Sequence, residues 1–367
     1  MAKRIFDMKK ELIYVSVCRK IFVSEITNHQ NSGFSKGALT VIKRNIVSIM
    51  CLAIIIVSCT NKDNKEKSIT LYPAIENNKW GYIDKTGKMV IAPQFDKARL
   101  FCEGYAVVSK GPISGYIDKT GKMLFGQQFD VIKNFSEGMA PVLYDEVWGY
   151  INKTGEIAIE PQYDWASKFS EGLAAVQISK KWGYIDTSGN MVIDFNYDGA
   201  WEFSGGLASV RQLNKWGYID KEGNIAIELT FNWAFKFSEG LAAVKIADKW
   251  GYIDTTGTVV IEPQFDQVNS FSEELAFIKT GGKWGVIDKT GKIVIEPRFE
   301  MGSEFSEGLA QIRLNRKWGY IDRTGNIVIK PQYKGTWGYT DGVAAVRIDR
   351  KIAYINKKGD YIWNPSE

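Results

Sequence analysis

The side chains that most often carry out catalysis are thinly supplied in this chain of 367 residues. Its one histidine is His29, so everything after it is without imidazole. That removes Ser-His-Asp and Cys-His catalysis, and histidine metal ligation, from the whole stretch. The four cysteines, Cys18, Cys51, Cys59 and Cys102, are not spaced as a metal knuckle. Carboxylates are abundant, but Glu171, Asp164 and their counterparts recur at a fixed interval. Such recurrence suits turn bonding and solubility better than a single acid–base pair. No glycine-rich phosphate loop precedes a helical pattern. What these residues leave is recognition, with neither metal nor cofactor expected. Its natural carriers are the aromatics: 12 Trp, 17 Tyr and 19 Phe offer faces that stack on flat ligands and attract cations.

Their spacing decides which of them to consider. A Lys-Trp-Gly-Tyr-Ile-Asp stretch recurs nine times, its Trp position falling at 80, 114, 148, 182, 216, 250, 284, 318 and 352, always 34 residues apart. Ser114 and Ile352 replace the Trp in two copies. A residue that recurs once per unit is most simply the core of that unit. The candidates for specific binding are therefore the aromatics that break the pattern. Trp165 and Trp233 stand 17 residues after their repeat Trp; Trp201, Phe235 and Trp337 stand 19 after theirs. Trp165, Trp201, Trp233 and Phe235 come from three consecutive units, so with Trp337 they make a candidate binding rim. The alternative is that they fill gaps beneath the connectors.

The repeat predicts the elements that would hold such a rim. Trp-Gly-Tyr-Ile-Asp alternates as a strand, with Trp, Tyr and Asp on one face and Gly and Ile on the other. A turn follows, such as Asp84-Lys85-Thr86-Gly87, whose Gly is present in all nine copies and fits a positive φ. Its Asp can accept hydrogen bonds from turn N–H groups. A calcium role is disfavoured, because the loop lacks closely spaced carboxylates. Next, Lys292 to Pro297 reads as a second strand, and its three consecutive apolar residues predict burial on both faces. A connector with paired aromatics (Tyr163 and Phe169) leads to a tight Ser-Glu-Gly turn, in which Glu274 replaces one Gly and predicts distortion. Leu-Ala-Ala-Val, as in Leu241 to Val244, then makes a third strand. Its second residue is Ala in every copy from Ala106 to Ala344, which predicts close packing there. Cys102 takes a position that is Ser in six other units, which fits a small, half-buried side chain.

The N-terminal part has a different composition. Residues 1–58 hold 9 Lys/Arg against 3 Asp/Glu, so the net charge of +5 belongs to them and the remainder is close to neutral. A near-neutral body argues against nucleic acid as a partner. Lys43-Arg44-Asn45 precedes an apolar run of 13 residues, 46–58, the length of a secretory h-region and short for a membrane span. The run ends in Ile56-Val57-Ser58-Cys59, which resembles the bacterial lipobox. That resemblance implies cleavage after Ser58 and lipidation of Cys59; an ordinary signal peptide or a short anchor is the alternative. More than one acyl chain on Cys59 would give stable membrane attachment. Residues 59–70 read as a polar, disordered tether. Thr60 stands where Asp would favour inner-membrane retention in some lipoproteins, so the outer membrane or cell surface is favoured. Residues 1–42 show no period and read as a mis-assigned upstream extension, with translation beginning near Val41.

Taken together, Lys-Trp-Gly-Tyr-Ile-Asp-Lys-Thr-Gly, Ile-Val-Ile-x-Pro-Gln-Phe-Asp and Phe-Ser-Glu-Gly-Leu-Ala resemble the bacterial WG, or KWG, repeat over residues 71–365. The resemblance implies a β-rich repeat found in envelope and other bacterial proteins, with no general catalytic activity or shared ligand. Ser114, Val286, Ile352, Ala353, Phe195 and Leu229 depart from it and read as worn or capping positions. The fold expected is all-β: nine stacked three-stranded meanders in a curved array. The alternative is a closed, propeller-like ring in which the connector adds a fourth strand, although nine units exceed the usual four to eight blades. The function expected is a non-catalytic, lipid-anchored binding or scaffold protein of the bacterial envelope, with a protein or glycan partner. The alternatives are a carboxylate-dependent hydrolase and a purely structural spacer.

Overall fold

The computed structural model describes residues 70–126, 128–349 and 351–364. The expectations for 1–42, 43–58, Cys59, nearly all of the tether and Pro365 fall outside the described residues. Within them there is no helix, and the local pattern explains why. In the seventh unit, Leu275–Thr280 pairs antiparallel with Lys283–Asp288, which pairs with Ile293–Phe299. The first hairpin closes through two residues, and in several units both take positive φ, as at Asn77 (50°) and Asn78 (59°) or Ser179 (50°) and Lys180 (66°). Such turns twist as the strands do. The connector Asp fastens this hairpin: Asp164 accepts from the Ser179 N–H at 2.6 Å and Asp96 from Gly111 at 2.6 Å.

The second hairpin carries a bulge. Tyr252 pairs with Ile261, but Trp250 pairs with Phe265, so Glu262, Pro263 and Gln264 loop outward between them. Gly251 sits under that bulge, and a Cβ there would lie 2.4 Å from the Ile261 carbonyl oxygen and 2.7 Å from the Pro263 nitrogen. The Gly of the repeated Trp-Gly pair is thus required by a close backbone approach.

Two expectations about the strands are corrected. The unit has four strands, because the connector contributes a two-residue strand, such as Trp165–Ala166 or Trp233–Ala234, paired with the alanine-containing strand. Eight sheets follow this order and the first has three strands. The Ile-Val-Ile strand is not buried on both faces: Ile295 is buried, whereas Ile293 and Val294 are exposed, as are Val259, Val260, Ile327 and Val328. It is the last strand of each sheet, so no further strand covers its outer side.

The apolar core lies between units. Each cluster draws from two neighbours: Tyr252, Ile261 and Phe265 of the sixth unit meet Phe271, Ala276, Ile278 and Ile287 of the seventh. The Tyr and Ile of one Trp strand therefore serve different interfaces, which accounts for the burial of both strand faces. The invariant Ala lies in these clusters, as Ala174 does with Tyr150 and Phe169.

The ninth cluster closes the molecule. Tyr72, Ala74 and Ile83 of the first unit pack with Val343 and Tyr354 of the last. The Tyr354 hydroxyl donates to the Pro73 carbonyl at 2.7 Å and the Tyr72 hydroxyl to the Thr340 carbonyl at 2.8 Å. The structure is therefore the closed ring, a nine-bladed β-propeller, and not the open curved array expected first. An open array leaves two terminal faces bare, and the packing of Tyr72, Tyr354, Ile362 and Trp363 at the seam removes that exposure.

Candidate functional site

The connectors that carry the candidate rim are held from two sides. The Trp201 N–H donates to the Ser209 carbonyl within its own blade at 3.0 Å, and its carbonyl accepts the Tyr184 hydroxyl of the preceding blade at 2.9 Å. The Phe235 carbonyl accepts from Tyr218 at 2.7 Å and that of Trp337 from Tyr320 at 2.9 Å. Burial drives the Tyr184, Tyr218 and Tyr320 hydroxyls far above their ordinary pKa, so they stay protonated donors. Trp201, Phe235 and Trp337 thus project from backbone that is fixed at a blade junction.

Trp165, Trp201, Trp233 and Trp337 are 46%, 42%, 37% and 47% exposed. Trp165, Trp201 and Trp233 lie on the connectors that enter the fourth, fifth and sixth blades, Trp165 and Trp233 at one register and Trp201 two residues further on, so they follow one another around the ring. Phe235 is half-buried and stacks on Trp250, with ring centroids 4.9 Å apart and planes at 25°. Trp337 belongs to the ninth blade, three blades beyond Trp233, and stands apart from the other four.

The repeated Trp residues form the floor. Trp148 and Trp216 are buried, and their centroids lie 5.5 Å from Trp165 and 5.2 Å from Trp233. Lys133 occupies the first of these places, its Nζ 4.0 Å from the Trp148 ring centre, 4.2 Å from that of Trp165 and 3.0 Å from the Ala166 carbonyl. Burial, with Arg99 nearby, lowers its pKa. This cation between two indoles went unrecognised in the sequence because Lys133 is one of several residue types at its register. Among the described residues no group of His, Cys, Asp and Glu is placed to hold a metal ion. Cys102 is a half-buried free thiol, 3.1 Å from the Asn134 amide.

A second repeating device links neighbouring blades. The Glu of the Ser-Glu-Gly-type turns accepts from N–H groups of the next turn, from two in four cases and from one at Glu273 and Glu307. Glu103 takes Glu137 (2.6 Å) and Gly138 (3.0 Å), and Glu137 takes Glu171 (2.6 Å) and Gly172 (2.8 Å). Glu171 takes Gly205 (2.7 Å) and Gly206 (3.0 Å), and Glu239 takes Glu273 (2.7 Å) and Glu274 (2.9 Å). The series continues through Glu307 to Gly342, and Asp341 accepts from the Thr70 hydroxyl across the seam. Lys153 pairs with Glu103 at 3.0 Å and Lys357 with Glu307 at 3.0 Å. Asp164 and Glu171 are thus both turn-bonding groups, as their recurrence implied. The signal missed in the sequence is Gly205, which gives Ser-Gly-Gly where this series has Ser-Glu-Gly.

These features define a β-propeller whose blades are locked edge to edge and whose connectors display aromatic rings. The family model for the WG containing repeat matches residues 80–111, 115–147, 148–182, 182–216, 216–250, 250–284, 284–318 and 318–351. The chain belongs to the WG-repeat family. No curated protein matches it. Among solved structures, a eukaryotic initiation factor is similar at a TM-score of 0.61 and 12% identity, covering 80% of this chain and 94% of that one. BamB from Moraxella catarrhalis is similar at 0.43 and 10%, covering 79% and 92%. At such identities the first likeness speaks for the fold alone, and the second carries no argument.

Proposed function

We propose that this protein is a non-catalytic binding or scaffold protein of the bacterial envelope, lipid-anchored through Cys59, that engages a partner protein on its aromatic connector rim. The observation that carries the reading is the exposure of Trp165, Trp201 and Trp233 on the connectors that enter three successive blades, Trp165 and Trp233 at one register and Trp201 two residues further on. Large exposed aromatics on rigid backbone lose little conformational freedom on binding and are enriched at interface hot spots. The Lys133 cation beneath Trp165 adds a polar contact beside the apolar one.

The experiment is a pull-down from envelope extracts with the wild-type chain, Trp201→Ala and Trp233→Ala. The expected result is a defined partner captured by the wild type and lost from both variants. An unchanged partner set would remove the rim reading, and no partner at all would favour a structural spacer. Anchoring is tested separately: Cys59→Ser should abolish incorporation of labelled fatty acid and release the protein from the membrane fraction.

A further inference from the structure

We propose that the backbone N–H groups of Glu239 and Gly240 form a binding site for a carboxylate of a partner protein. The basis is the break in the inter-blade series at Gly205. In the turns described above, a Glu from the preceding blade occupies the paired N–H groups of the next turn. The register residue before Glu239 and Gly240 is Gly205, which has no side chain to offer. Among the described residues nothing accepts from either of these two N–H groups. The cation is absent as well: Thr255 stands where Lys221 and Lys289 stand beside Glu171 and Glu239.

The site is otherwise built as its neighbours are. Ser204 Oγ donates to the Phe237 carbonyl at 2.8 Å, matching Ser170 to Phe203 at 2.8 Å and Ser238 to Phe271 at 2.7 Å. The Leu241 N–H closes the turn on the Ser238 carbonyl at 3.1 Å. The two N–H groups are therefore held in the conformation that binds carboxylate elsewhere in the ring, and both residues are exposed. Paired backbone N–H groups in such a turn favour an anion. A carboxylate can be tolerated between Glu171 and Glu239, because Glu137 sits between Glu103 and Glu171 in the same manner.

The location points to a protein ligand. Trp201 and Phe235 stand four residues before Gly205 and Glu239, which places each within about 14 Å even along fully extended chain. An acidic side chain or a C-terminal carboxylate could seat on the two N–H groups while neighbouring apolar residues lie against the rings. This deepens the binding reading and rests on it for the identity of the ligand, but the carboxylate site can be tested by itself.

The test is a titration of the 15N-labelled full chain with sodium propionate, which carries the end of a glutamate side chain, alongside propionamide and inorganic phosphate. The Glu239 and Gly240 amide resonances should shift saturably with propionate and not with propionamide, while those of Gly138 and Gly172, already occupied, stay fixed. Gly205→Glu supplies the missing carboxylate in cis. Its Cβ would meet only the Phe237 Cβ, at 3.5 Å, and the φ of 67° at Gly205 is close to that of Glu171 (56°). It should weaken propionate binding roughly tenfold or more by occupying charge-assisted hydrogen bonds, with no loss of thermal stability. Gly205→Ala, which adds a Cβ and no carboxylate, should keep binding. Equal shifts with propionamide, no shift with propionate, or undiminished binding in a folded Gly205→Glu would overturn the site. Tighter binding of phosphate than of propionate would overturn its assignment to a protein carboxylate. Loss of partner capture in Trp201→Ala with the propionate response intact would separate the two readings.

Discussion

At the scale of single residues, the substitutions that break the repeat are mostly accommodated. Glu274 takes the place of the Gly in Ser-Glu-Gly, where a distorted turn was expected. The turn keeps its shape instead: Glu274 adopts φ 66° and its N–H still reaches Glu239 at 2.9 Å. A non-glycine residue in that region costs about 1–2 kcal/mol. The exposed pair of Glu274 with Lys289, at 2.8 Å, returns no more than about 1 kcal/mol. Glu274→Gly should therefore stabilise the protein by roughly 1 kcal/mol, measured as a higher urea midpoint at unchanged slope. Val286 is a second departure that is compensated. It replaces the Tyr whose ring fills each junction, and its cross-strand partner is Phe277 in place of a small residue. Phe277 stacks on Phe305 at 5.7 Å, and Gly302 makes room, since a Cβ there would come 2.1 Å from the Phe277 ring. The ring has moved from one strand to its neighbour, so this unit is not worn. Phe277→Ala alone should cost about 3–5 kcal/mol, and Val286→Tyr alone about 1–3 kcal/mol through overpacking. The double variant should lose far less than their sum, as a double-mutant cycle would show. Additive losses would mean that the two rings do not share one space.

At the scale of elements, the turns set the acid limit of the fold. Asp84, Asp254 and Asp288 each accept from a Thr hydroxyl two residues on and from two turn N–H groups. The Thr hydroxyl is the largest cause of their pKa lying below the ordinary 3.8. Burial opposes the charge on Glu103, but Lys153 and two N–H groups outweigh it and hold its pKa below 4.5. Depressed folded-state values mean stability that is complete above the unfolded pKa and is lost as protons bind. Denaturant titrations should thus be flat near neutrality and fall as pH drops through 4.5 and 3.8. Asn152 already makes the same bonds, 2.9 Å to the Thr154 N–H and 2.6 Å to its hydroxyl. Asp254→Asn should accordingly leave neutral stability nearly intact and flatten the acid limb. These turns, the Trp strand and the alanine strand were legible in the sequence, because each rests on a residue with few alternatives: Gly at positive φ, Asp bonding its own turn, Ala under a ring. The edge strand was misread because Ile293-Val294-Ile295 has the same composition whether one face or two are covered. The two-residue connector strand is too short to show a period. The exposed Trp positions were found as departures from the repeat, whereas Gly205 passed unnoticed because a missing Glu matters only where the turns touch, and that contact is not visible in the sequence.

At the scale of the whole molecule, closure could not be read from the repeat, since an open array and a ring share every contact within and between adjacent units. It is decided at one seam, and that seam is built differently. Among the described residues no strand crosses it: the first sheet and the last each come from consecutive chain. Tyr72 takes the place of the invariant Ala, and Trp363 that of the buried Ile of the edge strand. The Tyr354 hydroxyl turns to Pro73 instead of a connector carbonyl. Elsewhere two blades are joined by packing and by covalent chain, but here packing acts without the chain, so the ring should open at this junction first. Tyr354→Phe leaves the buried Pro73 carbonyl unpaired and should cost about 1–3 kcal/mol. The matched control is Tyr252→Phe, which removes the bond to the Asn269 carbonyl at an internal junction. Hydrogen exchange distinguishes them by location. In Tyr354→Phe, amides of Tyr72–Glu76 and Lys351–Asn356 should exchange faster while those of Leu241–Ile246 keep wild-type protection. In Tyr252→Phe, any loss should stay around the sixth and seventh blades, with the seam unchanged. If both variants loosened every blade equally, the ring would be one cooperative unit with no preferred opening.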